Sequence, residues 1–390
     1  MKRKKAVVIL PTYNERENIT RTVEALEKVF SQIKNWQMEI LVVDDTSPDK
    51  TYEVVRKLQK KYKNLHLVMN KQKSGLGGAY LKGMDYAFHQ LKADVVFEFD
   101  ADLSHDPTKI PLFLKKIEAG ADMVLGSRYI KGGGLADDWG LHRKFLSVFG
   151  NLFMNLVMLD FSVRDWTSGF RAITKQVYEK VVPHLGEKKF SGYTFQIGFL
   201  YLARKYGYKV VEVPFVFKDR EMGHSKIGPE YIKNTLAFVI KVRFNDLIHN
   251  RIFKFAVVGG IGATVQLLTL NLFRLVFAYQ LSYFFSVEMA VLSNFILNNF
   301  WTFSDRKLTL RQAPVKFIHF NLASAGSIII QQVVAFVGER FFGLDPLFMI
   351  PMVGVAFDSG TLYAIIGILI GMSWNFFAYN AFIWKKKKTS

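Results

Sequence analysis

The feature that most constrains this chain is a change of character near residue 250. From Phe255 onward, four predominantly apolar runs follow one another, at about 255–273, 281–303, 317–338 and 361–384. Each is long enough to cross about 30 Å of hydrocarbon, which takes roughly 20 residues of helix. Arg251 and Lys254 precede the first run, Arg306, Lys307, Arg311 and Lys316 separate the second from the third, and four lysines (385–388) follow the fourth. The other two connections carry fewer basic residues. One such run is also what a buried core helix shows, but four in succession with alternating charge predict a four-helix membrane region. The positive-inside rule then puts both termini on the cytoplasmic side.

The first 250 residues mix charged and apolar positions as a soluble domain does, and 390 residues suffice for two domains. The formal charge of +19 points to an anionic partner: nucleic acid, acidic lipid or a phosphorylated substrate. Nucleic acid is disfavoured, because much of the Lys and Arg flanks the apolar runs and a chain without Cys cannot build a zinc finger. The lack of Cys also removes disulfides and a thiol nucleophile. The opening "MKRKKAVVIL" resembles a signal peptide only briefly: its apolar stretch ends at Pro11, too short for the purpose, and reads as a strand.

Short apolar runs at 6–10, 39–43, 65–69, 94–99 and 122–127 alternate with segments of helical spacing. That alternation predicts an α/β domain with an open, mostly parallel sheet covered on both faces. Ligands of such sheets bind at the carboxyl ends of the strands. "PTYNE", "DDTSPD" and "DADLS" each lie just after a predicted strand. Two further helices have an interfacial look: residues 142–159, with a basic start, and residues 229–248, where Lys233, Lys241 and Arg243 interrupt an apolar face. Core packing competes with that reading for the first. Residues 254–266 resemble 319–331, and 294–300 resemble 375–381, so two related helical hairpins are expected if the likeness is not chance.

The residues able to carry chemistry are mostly oxygen ligands and cations. Asp100 and Asp102 leave the end of the fourth strand, where alternation would point both to one side; hard oxygens there suit Mg2+ or Mn2+ bridging to a substrate diphosphate. Asp44 and Asp45 follow the second strand, where a carboxylate serves a ribose or base or, equally, a helix cap. Tyr13 offers a ring for stacking and Glu15 a carboxylate. The glycines of "SGLGGAYLKGMDYAF" (74–88) do not form a Walker loop and are assigned to close packing or a turn. Arg128 ends the fifth strand, where its fork suits phosphate. The stretch "DWTSGFRAI" (165–173) offers Asp165 and Arg171, and Arg171 serves equally as half of an ion pair. Lys218, Arg220, His224 and Lys226 crowd one loop, which is either solvated or a site for lipid phosphate. Glu288, Asn294, Asn298, Gln331, Asn375 and Asn380 fall within the apolar runs; they bond between helices or mark a path for a lipid-linked sugar.

Taken in order, "LPTYNE", "VVDDTSPD", "GLGGAY", "FDADLS", "GSRY", "DWTSGFRA", "SGYTFQI" and "FKDREMGHSK" closely resemble the dolichol-phosphate mannosyltransferases, over about residues 5–228. "FAVVGGIGA" and "SNFILNNFWTF" resemble, more loosely, the four-helix GtrA-like membrane domain often joined to such enzymes. The resemblance implies a GT-A glycosyltransferase domain at 1–228, an interfacial helix at 229–250 and a transmembrane domain at 251–390. It implies that Pro11, Tyr13, Glu15, Val43 and Asp45 hold the guanine nucleotide, and that Asp100, Ala101 and Asp102 meet its diphosphate and the metal. It places Arg128 at the donor or acceptor phosphate, and Arg220 with a lysine near Lys189 at the lipid phosphate. The family usually has Gln where this chain has Ser104, so a third metal ligand there would be a shorter hydroxyl. The implied reaction is metal-dependent, inverting transfer of mannose from GDP-mannose to dolichyl or another polyprenyl phosphate at the bilayer. A UDP-glucose-dependent enzyme, or translocation by the membrane region, are the alternatives.

Overall fold

The computed structural model describes residues 3–136, 139–185, 193–218, 229–343, 345–350 and 355–384. The chain forms two compact units, Met1–Arg243 and Phe244–Ser390.

The first unit is built on seven strands: β1 (Lys4–Thr12), β2 (Trp36–Asp44), β3 (Leu65–Met69), β4 (Val95–Glu98), β5 (Met123–Ser127), β6 (Arg171–Thr174) and β7 (Val210–Pro214). They lie in the order β3-β2-β1-β4-β6-β5-β7, all parallel except β6, which runs antiparallel to both β4 and β5. The opening stretch read as a strand is β1. Alternation divides each central strand between two cores. Val8 and Leu10 pack on one face, with Ile19, Val23 and Leu26 of α1 (Ile19–Phe30), Val55 of α2 (Thr51–Lys61) and Phe113 of α4 (Ile110–Glu118). Val7 and Ile9 pack on the other, with Tyr80, Met84 and Phe88 of α3 (Gly75–His89), Val177 of α6 (Lys175–Val181) and Phe199 of α7 (Thr194–Lys205). Burial on both faces is why these strands carry unbroken Val and Ile runs. The Gly83 position shows the packing role expected of this glycine-rich stretch: a Cβ there would come within 2.6 Å of Ile9.

Helix α5 (Leu141–Met158) is turned inside out. Its buried positions are Asn151, Met154, Asn155 and Met158. Phe145, Leu146, Phe149, Leu152 and Leu156 are exposed. The two asparagines are consumed locally: Asn151 accepts from the Trp166 backbone N–H at 2.8 Å, and Asn155 from its indole N–H at 2.7 Å. Helix α8 (Pro229–His249) likewise exposes Ile232, Leu236, Ile240 and Phe244, and buries Val239.

The second unit has four long helices over the four apolar runs: α9 (Arg251–Phe273), α10 (Tyr279–Leu297), α11 (Ala313–Phe342) and α12 (Ser359–Ala378), with a short hairpin of β8 (Pro346–Ile350) and β9 (Val355–Asp358) before the last. Among the described residues, α9 is the helix long and apolar enough to span a membrane. The expected repeat has a structural counterpart. α10 and α12 each end in a π-helical turn, Asn298–Thr302 and Tyr379–Ile383, at matching positions. Aromatic contacts are exchanged between the halves: Phe255 meets Phe376 at 5.6 Å, and their equivalents Phe320 and Phe295 meet at 5.4 Å. Phe303 stacks at 4.5 Å on its own equivalent, Trp384. The ring contacts are thus reciprocal between the two halves, and Phe303 and Trp384 meet as equivalents.

Candidate active site

The carboxyl edge of the sheet collects nearly every described residue with chemical promise. β6 explains how: because it runs against its neighbours, the segment 165–170 that feeds it arrives at that edge beside the end of β4. β4 itself stops at Glu98. Asp100 and Asp102 therefore stand in a turn rather than on a strand, and the alternation argument for their shared direction does not apply. The turn is fixed by Leu103 in the left-handed region (φ 61°), by the Ser104 N–H donating to Asp102 at 3.0 Å, and by Thr22 of α1 donating to the Ala101 carbonyl at 2.6 Å. Tyr80 donates its hydroxyl to Asp100 at 3.2 Å.

The expected metal ligands are two carboxylates and one hydroxyl, and the described residues hold no cluster of three metal-binding acids, histidines or cysteines. Asp100 and Asp102 are both partly exposed, whereas Ser104 is buried and its Oγ has no hydrogen-bond partner. Two hard carboxylates with an unsatisfied hydroxyl next to them fit an ion that keeps water and diphosphate oxygens as its remaining ligands.

Behind this turn lies Glu98, fully buried, with no hydrogen bond to either oxygen and its Oε2 3.8 Å from Nε of Arg171. Burial pushes its pKa up to about 7, against the pull of Arg171. Burial likewise lowers Arg171, whose N–H groups go to the carbonyls of Ser168, Gln196 and Trp166. Arg171 is thus a structural residue that ties α7 to the strand edge.

Arg128 corrects an expectation. Its fork is taken by buried Asp165, with Nε and Nη2 each donating at 2.7 Å, and Nη2 also reaches Thr167 at 2.8 Å. Burial opposes the charge, but the Asp165 carboxylate outweighs it and holds Arg128 above its ordinary value. A phosphate can meet only the remaining Nη1 edge, so the bidentate grip read from the sequence is not available. Asp165 is a candidate in the sequence, but nothing there pairs it with Arg128, 37 residues away.

The nucleotide candidates divide. Pro11 is the penultimate residue of β1, opposite Val43, whose side chain is buried in the core near Gly83, so Val43 can meet a nucleotide only through its backbone. Asp45 is also corrected: it accepts from the Ser74 N–H at 2.9 Å, the Ser74 hydroxyl at 2.9 Å, the Gly75 N–H at 3.0 Å, and from Asn70. These four donors saturate a carboxylate, making it the cap of α3. Its neighbour Asp44 organises the turn after β2 by accepting from Thr12 and Ser47. Tyr13 is partly exposed, with the Lys73 ammonium 3.9 Å from its ring centre. Glu15 lies beside it, bonded to Asn18 at 2.9 Å. Lys189, Arg220, His224 and Lys226 lie outside the described residues.

His105, one residue past Ser104, carried no expectation. It is fully buried, its ring stacked 5.1 Å from Phe170 and edge-on to Phe99 and Phe215. A single histidine among aromatics reads as core from sequence alone; only the fold shows it against Asp100. In the second unit, Asn375 donates to Ser327 at 3.1 Å, and Asn299 accepts from Trp384 at 3.1 Å. The Oδ1 atoms of Asn294, Asn298, Asn375 and Asn380 are buried without partners.

A mixed sheet of this order, with paired carboxylates at its carboxyl edge and a helical unit after it, defines a GT-A-type glycosyltransferase joined to a membrane domain. Residues 7–182 match the glycosyl transferase family 2 domain, and residues 254–384 match the GtrA/DPMS transmembrane domain. Over 370 residues the chain is 34% identical to a dolichol-phosphate mannosyltransferase from Pyrococcus furiosus, covering 93% of this chain and 97% of that one. It is 37% identical over 233 residues to a polyprenol monophosphomannose synthase from Mycolicibacterium smegmatis (60% and 84%). Among solved structures, it is similar to a mannosyl-3-phosphoglycerate synthase from Rubrobacter xylanophilus, with 14% identity, 63% and 74% coverage and a TM-score of 0.43. The chain belongs to the dolichol-phosphate mannosyltransferase family and is a glycosyltransferase.

Proposed function

We propose that this enzyme transfers mannose from GDP-mannose to dolichyl or another polyprenyl phosphate at a membrane surface, with inversion at the anomeric carbon. The observation that carries the reading is the carboxyl-edge cluster of Asp100, Asp102 and the Arg128–Asp165 pair, in a chain that follows the Pyrococcus furiosus mannosyltransferase almost end to end.

A lipid monophosphate has a second pKa near about 6 and is already mostly dianionic at neutral pH. It attacks the anomeric carbon without help from a base, so the reaction asks for no general base in the site. Attack opposite the leaving group inverts the sugar through an oxocarbenium-like transition state, giving a β-linked product. Asp100 and Asp102, with Ser104 beside them, would hold Mg2+ or Mn2+, which would supply positive charge against the departing diphosphate. Tyr13 and Glu15 receive the guanine, while Pro11 and the backbones of Val43 and Ala101 bound its pocket. Asp45 acts on the nucleotide indirectly, by fixing the loop at the start of α3. Arg128 turns its Nη1 edge to a phosphate, and Arg220 and Lys189 supply further cations for the lipid phosphate.

The domains follow the same logic: a GT-A unit at 1–228, α8 lying in the headgroup plane, and a multi-pass membrane domain at 251–390 with both termini cytoplasmic. The exposed apolar face of α5 supports the interfacial reading, since Phe145 (57% exposed) and Leu141 (85%) are costly to leave in water.

The donor is tested by giving purified enzyme dolichyl phosphate with either labelled GDP-mannose or labelled UDP-glucose. Label should enter lipid from GDP-mannose alone. Transfer only from UDP-glucose would keep the mechanism and overturn the donor.

A further inference from the structure

His105 touches the proposed metal site from behind. Its Nδ1 accepts the backbone N–H of Asp100 at 3.1 Å, which fixes the proton on Nε2. Nε2 in turn faces the Asp100 carboxylate, 3.7 Å from Oδ2. The ring is held on three sides by Phe99, Phe170 and Phe215. On the fourth side, Gly169 makes room: a Cβ there would lie 3.5 Å from the ring and 4.0 Å from Asp100 Oδ2. One imidazole therefore holds the Asp100 backbone, faces its carboxylate from 3.7 Å, and packs against the segment carrying Gly169 and Phe170.

We propose that His105 is a positioning residue: it sets the direction of the Asp100 carboxylate toward a divalent cation, without touching substrate or ion itself. The inference rests on the reading that Asp100 and Asp102 hold that ion. Groups that orient a metal ligand typically govern metal affinity by about 10- to 100-fold. Packing alone does not account for a histidine here, since phenylalanine would fill an aromatic cage as well and needs no hydrogen bond.

The test measures Mn2+ binding to the full-length, detergent-solubilised enzyme by the electron paramagnetic resonance of free Mn2+. Alongside it, the Mn2+ concentration giving half-maximal transfer is read separately from kcat. His105→Phe keeps the ring stack and removes both nitrogens; it should weaken Mn2+ binding at least about tenfold and raise the half-saturating Mn2+ equally. Its kcat at saturating Mn2+ should stay within about threefold of wild type. His105→Asn offers an oxygen acceptor for the Asp100 N–H and should recover most of the affinity. If His105→Phe does not fold, His105→Asn and His105→Leu, of similar volume, give the same comparison, with Asn expected to bind and Leu to fail. Wild-type affinity in the variants lacking the acceptor, or equal loss with and without it, overturns the proposal. A wild-type enzyme that binds no Mn2+ removes the metal assignment and the proposal together; one that binds while the variants match it removes the proposal alone.

Discussion

At the scale of single residues, the site is organised by buried charges that hold one another. Arg128 and Asp165 are the clearest case: both are buried, and they share two bonds of 2.7 Å. Removing one partner of such a pair leaves an uncompensated charge and costs about 3–5 kcal/mol. Arg128→Ala should therefore lower the unfolding midpoint sharply, and a double replacement with apolar residues should recover part of the loss; equal destabilisation by single and double variants would refute a paired role. Glu98 makes a different prediction. Its pKa of about 7 in the folded state exceeds the ordinary 4.5, so folding retains a proton that the unfolded chain releases. The stability it contributes is present below pH 4.5 and is lost as pH rises through about 7, at up to about 1.4 kcal/mol per pH unit. Thermal unfolding compared between wild type and Glu98→Gln should show that slope in the wild type only. Residue type together with a position just after a strand marked Asp100 and Asp102 as candidate ligands. It did not reveal Arg128's true partner, since an ion pair closing across 37 residues leaves no local pattern.

At the scale of elements, strands β1 to β5 were readable because burial on both faces demands unbroken apolar runs. β6 was not, being four residues that open on buried Arg171. β7 is half-buried and interrupted by Glu212. Yet β6 is the strand that delivers Asp165, Thr167 and Gly169 to the turn after β4, so the unread strand is also why the placement of these residues was not legible. α5 was ambiguous in sequence, since interfacial and core helices both carry apolar stripes; its exposed phenylalanines decide which reading to test. The chain has no cysteine, so one can be introduced cleanly. A bimane label at Phe149→Cys, in enzyme reconstituted into nanodiscs, should be quenched by nitroxide lipids, while a label at Ser31→Cys on the end of α1 should not. An unquenched Phe149 label would mean that α5 faces protein or water.

At the scale of the whole molecule, the break in composition near residue 250 lies close to the division of the chain into two units after Arg243, and the internal likeness, which chance alone could give, coincides with matched π-turns and exchanged aromatic contacts. The interhelical role expected for intramembrane asparagines is seen at Asn375 and Ser327. The carboxylates and cations described at the sheet edge belong to the first unit, while the second carries the match to the GtrA/DPMS transmembrane domain. The most direct measurement of that account follows labelled mannose from GDP-mannose to dolichyl phosphate with Mn2+, with excess chelator, and with Asp102→Ala, and determines the anomeric linkage of the product. The account predicts a β-linked product that needs the metal and falls by at least about a hundredfold without the Asp102 carboxylate. Undiminished transfer in chelator and in Asp102→Ala, or an α-linked product, would contradict it.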